Sequence, residues 1–181
     1  KNKGEAGCMI VFCEFEQQFM LIKKGKEYGF SNYINLVFRK NFSAQVLKAN
    51  MKVVGNCEYA MLLYRDKLPK FRGGGRMVFN CIDIVRDTTT TKIHPTQKSI
   101  YLLRQLIEIF TDFGDVVIDP VAGSGVTLLA AAQLGRKAYG FEIKKEYVDK
   151  FYSKLANNVQ TIIFQQSTLK NEQLIIHESI F

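Results

Sequence analysis

The stretch Val116-Val117-Ile118-Asp119-Pro120-Val121-Ala122-Gly123-Ser124-Gly125 constrains this chain more than any other. A short apolar run ends in an acid, a turn with two glycines follows, and Val126–Leu134 then runs to Gly135. That order reads as strand, tight loop and helix. A second strand, Lys137 to Glu142, and a second helix, Lys144 to Leu155, come next. Strand, glycine loop, helix and strand together make the βαβ unit of a doubly wound α/β sheet. Such a loop turns backbone N–H groups and a helix N-terminus toward a ligand beyond the end of the strand.

Three ligand classes use this arrangement. A phosphate-binding P-loop needs Lys-Ser/Thr after the last glycine, where Val126-Thr127 stands here. A dinucleotide fingerprint needs a third glycine at position 128, which is Leu128. A nucleoside without phosphates, above all S-adenosylmethionine, fits better. Asp119 at the strand tip can accept from an ammonium group. Glu142, 17 residues after Gly125, can hold both ribose hydroxyls. The bland alternative is a tight turn in which Asp119 only caps a helix.

Upstream stands His94-Pro95-Thr96-Gln97-Lys98-Ser99, then a helix expected to be capped by Thr96, with Ile100, Leu103, Leu106, Ile107 and Phe110 on one face. In the first half, Cys8–Cys13 is a continuous apolar run, the pattern of a strand buried on both faces. A helix is expected over Glu14–Gly25, and strands over Tyr33–Arg39, Glu58–Tyr64 and Met77–Val85.

Charge is distributed unevenly. Of the formal +8, residues 1–92 hold 16 Lys/Arg against 8 Asp/Glu, and residues 93–181 hold 9 against 9. The first half is thus suited to a polyanion. Arg39, Lys40, Lys48, Lys52, Lys70, Arg72 and Arg76 are the candidates for phosphate contacts, although each taken singly also fits an ordinary surface charge. The four cysteines form no CxxC pair and have no histidine at ligand spacing, which argues against a zinc site or a disulfide framework and fits a reducing cytoplasm. No metal is expected. Apolar runs fall short of the ~18–20 residues of a membrane span, and no signal peptide is visible.

Taken together, HPTQKS, the helix YLLRQLIEIF, VVIDPVAGSGVT and the following GFE resemble the amino-methyltransferases of DNA, which methylate adenine N6 or cytosine N4. The resemblance is closest to the circularly permuted beta class, whose cofactor-binding half is C-terminal, and it covers roughly residues 5–155. It implies a single Rossmann-like methyltransferase domain over 1–181 with a doubly wound mixed sheet. Residues 5–65 would supply strands and a hairpin of the catalytic half, 66–92 the target-recognition segment, and 93–156 the cofactor-binding half. The tail 157–181 has no assigned role. Asp119, Pro120, Ala122, Gly123, Ser124 and Gly125 would form the loop around S-adenosylmethionine, and Glu142 the ribose clamp. His94, Thr96 and Lys98 would wall the methionine end; His94 could equally cap the helix, and Lys98 could be solvated.

The family's catalytic loop, Asp/Ser/Asn-Pro-Pro-Tyr/Phe, does not occur: Pro69, Pro95 and Pro120 are the only prolines. In the permuted order it would precede Gly7, on a strand between those ending at Asp119 and formed by Cys8–Cys13. No catalytic residue is therefore assigned, and this chain by itself is expected to be inactive. It opens on Lys1 rather than Met, and about 30–70 further residues are expected upstream from domain size. The first reading is thus a methyltransferase acting on the amine of a flipped DNA base, adenine ahead of cytosine. The second is a non-catalytic remnant or subunit that keeps the cofactor fold and the DNA-binding face. Methylation of RNA or protein is a weaker third. DNA is the expected partner, with a second copy or a restriction-system protein as further candidates.

Overall fold

A computed structural model describes residues 7–41, 55–72, 76–88, 92 and 96–157, of which 154–157 as backbone only. The chain divides into two compact units, residues 1–86 and 87–181.

The first unit is a four-stranded mixed sheet. Its strands are β1 (Cys8–Cys13), β2 (Asn32–Lys40), β3 (Cys57–Tyr64) and β4 (Cys81–Ile84), in the order β1-β3-β2-β4. β3 pairs antiparallel with β1 and with β2, and β2 pairs parallel with β4. The unbroken apolar run Ala60-Met61-Leu62-Leu63 follows from that central position, since all four side chains are buried whichever face they point to. Expectation and structure part at β1. Its equally apolar sequence suggested burial on both faces, but it lies at an edge of this sheet, is largely half-buried and leaves Met9 exposed. Met77–Val85 is also shortened to Cys81–Ile84. A 3₁₀ turn (Phe15–Gln17) leads into α1 (Gln18–Glu27), so the helix expected from Glu14 starts four residues later.

The second unit begins its described helices with α2 (Ile100–Phe110), then β5 (Val116–Asp119), α3 (Val126–Gln133), β6 (Lys137–Gly140) and α4 (Lys145–Asn157). β5 and β6 pair in parallel, with Asp119 opposite Gly140, and α3 is the crossover. α2 buries Ile100, Leu102, Leu103, Leu106, Ile107 and Ile109. Thr96 is not its cap. Ser99 has extended backbone (φ −64°, ψ 131°), so the chain turns helical only at Ile100 and Thr96–Ser99 lie ahead of the helix.

Arg136 joins two helix ends. Its Nε donates to Thr111 Oγ1 and its Nη2 to the Thr111 carbonyl, both at 2.9 Å, while Nη1 donates to the carbonyl of Leu134. Thr111 follows α2 and Leu134 follows α3, where carbonyls lack partners within their helices. Arg136→Ala is expected to cost about 2 kcal/mol, read as a melting temperature lower by about 5 °C. Lysine should restore little, since one ammonium cannot reproduce the fork.

Among the described residues no helix is long and apolar enough to cross a membrane, and no cluster of His, Cys, Asp and Glu is placed to hold a metal ion. All four cysteines are free. Burial pushes the Cys8 thiol up to about 11, so about one in a thousand is thiolate at pH 8. Iodoacetamide should therefore modify exposed Cys81 first. Labelling of Cys8, followed by peptide mass spectrometry, should climb about tenfold per pH unit up to pH ~11.

Candidate functional site

The loop between β5 and α3 is held from three directions. Backbone bonds tie it to the end of β6: the Phe141 N–H donates to the Asp119 carbonyl (3.0 Å), and the Ala122 N–H donates to the Phe141 carbonyl (2.9 Å). The first of these bonds continues the parallel β5–β6 pattern just past the strand end; β6 ends at Gly140, and Glu142 lies two residues beyond the strand, not at its last position. Within the loop, the Gly125 N–H donates to the Ala122 carbonyl (2.8 Å), closing a tight turn. Finally the nearly buried Glu142 carboxylate reaches across. Its Oε2 accepts from the Gly123 N–H and its Oε1 from the Lys144 N–H, both at 2.8 Å.

The glycines are required by geometry. Gly123 (φ +54°) and Gly125 (φ +70°) both occupy the left-handed region. A Cβ on Gly125 would lie 2.4 Å from the ring of Phe151, which α4 packs beneath the loop. A Cβ on Gly140 would lie 2.5 Å from Leu128 Cδ1 and 3.1 Å from Ala122 Cβ, so α3 packs against β6 only because that strand ends in glycine. Around Gly123 the nearest atom to a Cβ is 4.0 Å away, leaving its outer side open.

Asp119 stands at the C-terminal tip of β5. Its Oδ1 accepts from the Val121 N–H at 3.1 Å, and Oδ2 makes no hydrogen bond among the described residues. The helix-capping alternative is thus answered in part: one oxygen shapes the turn and the other remains available. The structure brings Asp119, Pro120, Ala122, Gly123, Ser124, Gly125 and Glu142 into one assembly, with Ala122, Ser124, Gly125 and Glu142 buried and Pro120 exposed. Thr96 lies on an exposed turn and Lys98 is half-buried just ahead of α2. His94 falls outside the described residues, as do Lys48 and Lys52.

Two side chains that periodicity could not single out flank the loop. Val121 and Ile143 are 80% and 83% exposed, on the two segments that the Ala122–Phe141 bond ties together. Large apolar side chains left in water beside a polar cradle offer a surface for a flat ring. Their positions next to Pro120 and Glu142 were the available signal.

In the first unit, Arg39 is engaged by Asp83 through two bonds of 2.6 and 2.8 Å, across the parallel pair β2–β4. The hydrogen bond with Asp83 raises the Arg39 pKa further, and the same bond lowers that of Asp83. Lys40 pairs with Glu58 at 2.7 Å and is largely buried. Lys70 is half-buried, whereas Arg72 and Arg76 are exposed.

Residues 15–154 match the sequence profile of a family described as DNA methylase, N6 and N4 type. The chain belongs to this family. It is 30% identical over 139 residues to YubD of Escherichia coli (strain K12), which carries a methylase name. It is 31% identical over 137 residues to the DNA adenine methyltransferase YhdJ of the same organism. These matches cover 77% and 74% of the chain but 57% and 42% of the two relatives, so the chain spans about half the length of the curated proteins it matches. Among solved structures, that of the M1.HpyAVI–SAM complex superposes with a TM-score of 0.70 at 26% identity, covering 84% of this chain and 76% of that one. The chain therefore has the mixed α/β fold of the methyltransferases, as its glycine loop and strand order implied.

Proposed function

We propose that the chain binds S-adenosylmethionine on the β5–α3 loop and serves methyl transfer to the exocyclic amine of a DNA base. The observation that carries this reading is the loop itself: a left-handed glycine turn open above Gly123, with a free Asp119 oxygen on one side and the Glu142 carboxylate on the other. The loop Asp119–Gly125 contains no basic side chain for a phosphate, and the charged groups at the site are the carboxylates of Asp119 and Glu142, which suits a cationic, phosphate-free nucleoside. When bound, the sulfonium supplies an already activated methyl group. Asp119 Oδ2 would accept from the ammonium of the methionine part, and Glu142, with lone pairs left beyond those given to Gly123 and Lys144, would accept from the ribose. Val121 and Ile143 would cover the adenine ring. His94, Thr96 and Lys98 remain assigned to the methionine end.

DNA as substrate is supported by family membership and by charge: residues 1–86 hold 15 Lys/Arg against 7 Asp/Glu, and residues 87–181 hold 10 against 10. Arg76 is exposed on this basic unit, and we assign phosphate contacts to it first, with Lys70 and Arg72 of the same unit as further candidates. Adenine is preferred to cytosine because YhdJ is named for adenine. The test is methyl transfer from isotope-labelled S-adenosylmethionine into DNA by the full gene product, with the nucleosides resolved by mass spectrometry. Labelled N6-methyladenine supports the proposal in full, and labelled N4-methylcytosine reverses the base preference. Cofactor binding without transfer points to a non-catalytic subunit.

A further inference from the structure

In the first unit, the segment that leads into β4 exposes its largest apolar side chains. Met77 is 94% exposed and Phe79 is 84% exposed. Ordinary folding would bury such residues or replace them with polar ones, and exposed apolar groups in a polar setting mark contact surfaces. They are also held in place. The next residue, Asn80, accepts from the Val37 N–H through its carbonyl (2.8 Å), and its side-chain Nδ2 donates to the Asn35 carbonyl (3.0 Å). Three residues further, Asp83 is fastened to Arg39. Phe79 therefore projects from an anchored backbone, and little ordering cost remains when it meets a partner.

The surroundings select the partner. Exposed Arg76 adjoins Met77, and the whole net charge of +8 falls within residues 1–86. An apolar tip next to an exposed arginine on a cationic unit suits stacked bases bordered by phosphates better than it suits an apolar protein face, which would leave that charge desolvated. We infer that Phe79, assisted by Met77, is a wedge that enters the base stack of duplex DNA while Arg76 holds the neighbouring phosphate. This inference rests on the reading that the chain acts on DNA. It adds which residues part the stack, a step that base extrusion requires.

The chain contains no tryptophan, so Phe79→Trp introduces a single reporter. Titrating this variant with a mixed-sequence DNA duplex should quench its fluorescence by stacking, whereas Phe19→Trp, at an exposed position on α1, should respond weakly. Phe79→Ala should weaken duplex binding about tenfold without altering the slope of log affinity against log salt. Arg76→Ala should lower that slope by about 1. Equal quenching at positions 79 and 19 would mean charge-driven coating and would overturn the wedge. So would undiminished DNA binding by Phe79→Ala, particularly if that variant instead changed oligomeric state in sedimentation, which would assign the tip to a protein interface. If the unaltered chain binds no duplex at any salt concentration, the DNA reading and the wedge fall together.

Discussion

Glu142→Ala should unfold the loop rather than merely weaken a ligand contact. The nearly buried carboxylate satisfies two backbone donors on different segments, Gly123 N–H and Lys144 N–H, each at 2.8 Å. Hydrogen bonds to a charged acceptor contribute about 1.5–3 kcal/mol each. Truncation removes both, for an expected loss of about 3–6 kcal/mol, and it abolishes cofactor binding. Glutamine is the informative variant. It has one acceptor oxygen and an NH₂ that would face a second N–H donor, so it can keep only one of the two bonds. Glu142→Gln should therefore retain roughly half the lost stability in urea unfolding. A Glu142→Gln protein as stable as the original would show that the carboxylate serves only the ligand.

Gly125→Ala is the second large effect, and its cause is independent. A non-glycine residue at φ +70° costs about 1–3 kcal/mol. The added Cβ would also sit 2.4 Å from the buried Phe151 ring, and overpacking of this kind costs about 1–3 kcal/mol more. The expected total is about 2–6 kcal/mol, with loss of cofactor binding because α3 and α4 can no longer close on the loop. Combining it with Phe151→Leu should give less destabilisation than the sum of the two changes, since the smaller side chain removes the clash but leaves the backbone strain. Strict additivity in denaturant unfolding would contradict the contact.

These two residues also show what was legible in the sequence and what was not. β5 was read at its exact bounds because Gly114-Asp115 and Asp119-Pro120 punctuate both ends of an apolar run. The glycine turn followed from composition alone, since few residues tolerate the left-handed region. Glu142 was recognised as a carboxylate near the loop, but its hold on Gly123 was not, because sequence spacing does not say which way a side chain folds back. β1 is less buried here than its sequence suggested, and Cys, Met, Ile, Val and Phe in a row carry no alternation from which its half-buried side chains could have been read. Thr96 was favoured as a cap on residue type, yet the extended backbone of Ser99 delays the helix by one turn. Among the basic residues, charge counting could not show that Arg39 and Lys40 are committed to Asp83 and Glu58.

The central claim is that the β5–α3 loop holds S-adenosylmethionine through Asp119 and Glu142. Isothermal titration of S-adenosylmethionine into the chain and into Asp119→Ala tests it most directly, because it needs neither DNA nor turnover. The account predicts saturable binding at one site, weakened about 10–100-fold in the variant by loss of a charge-assisted bond to the ammonium, with the melting temperature of the free variant lower by only a few degrees through loss of the exposed bond from Val121 N–H. Equal affinity in both proteins, or no binding to the unaltered chain, would contradict it.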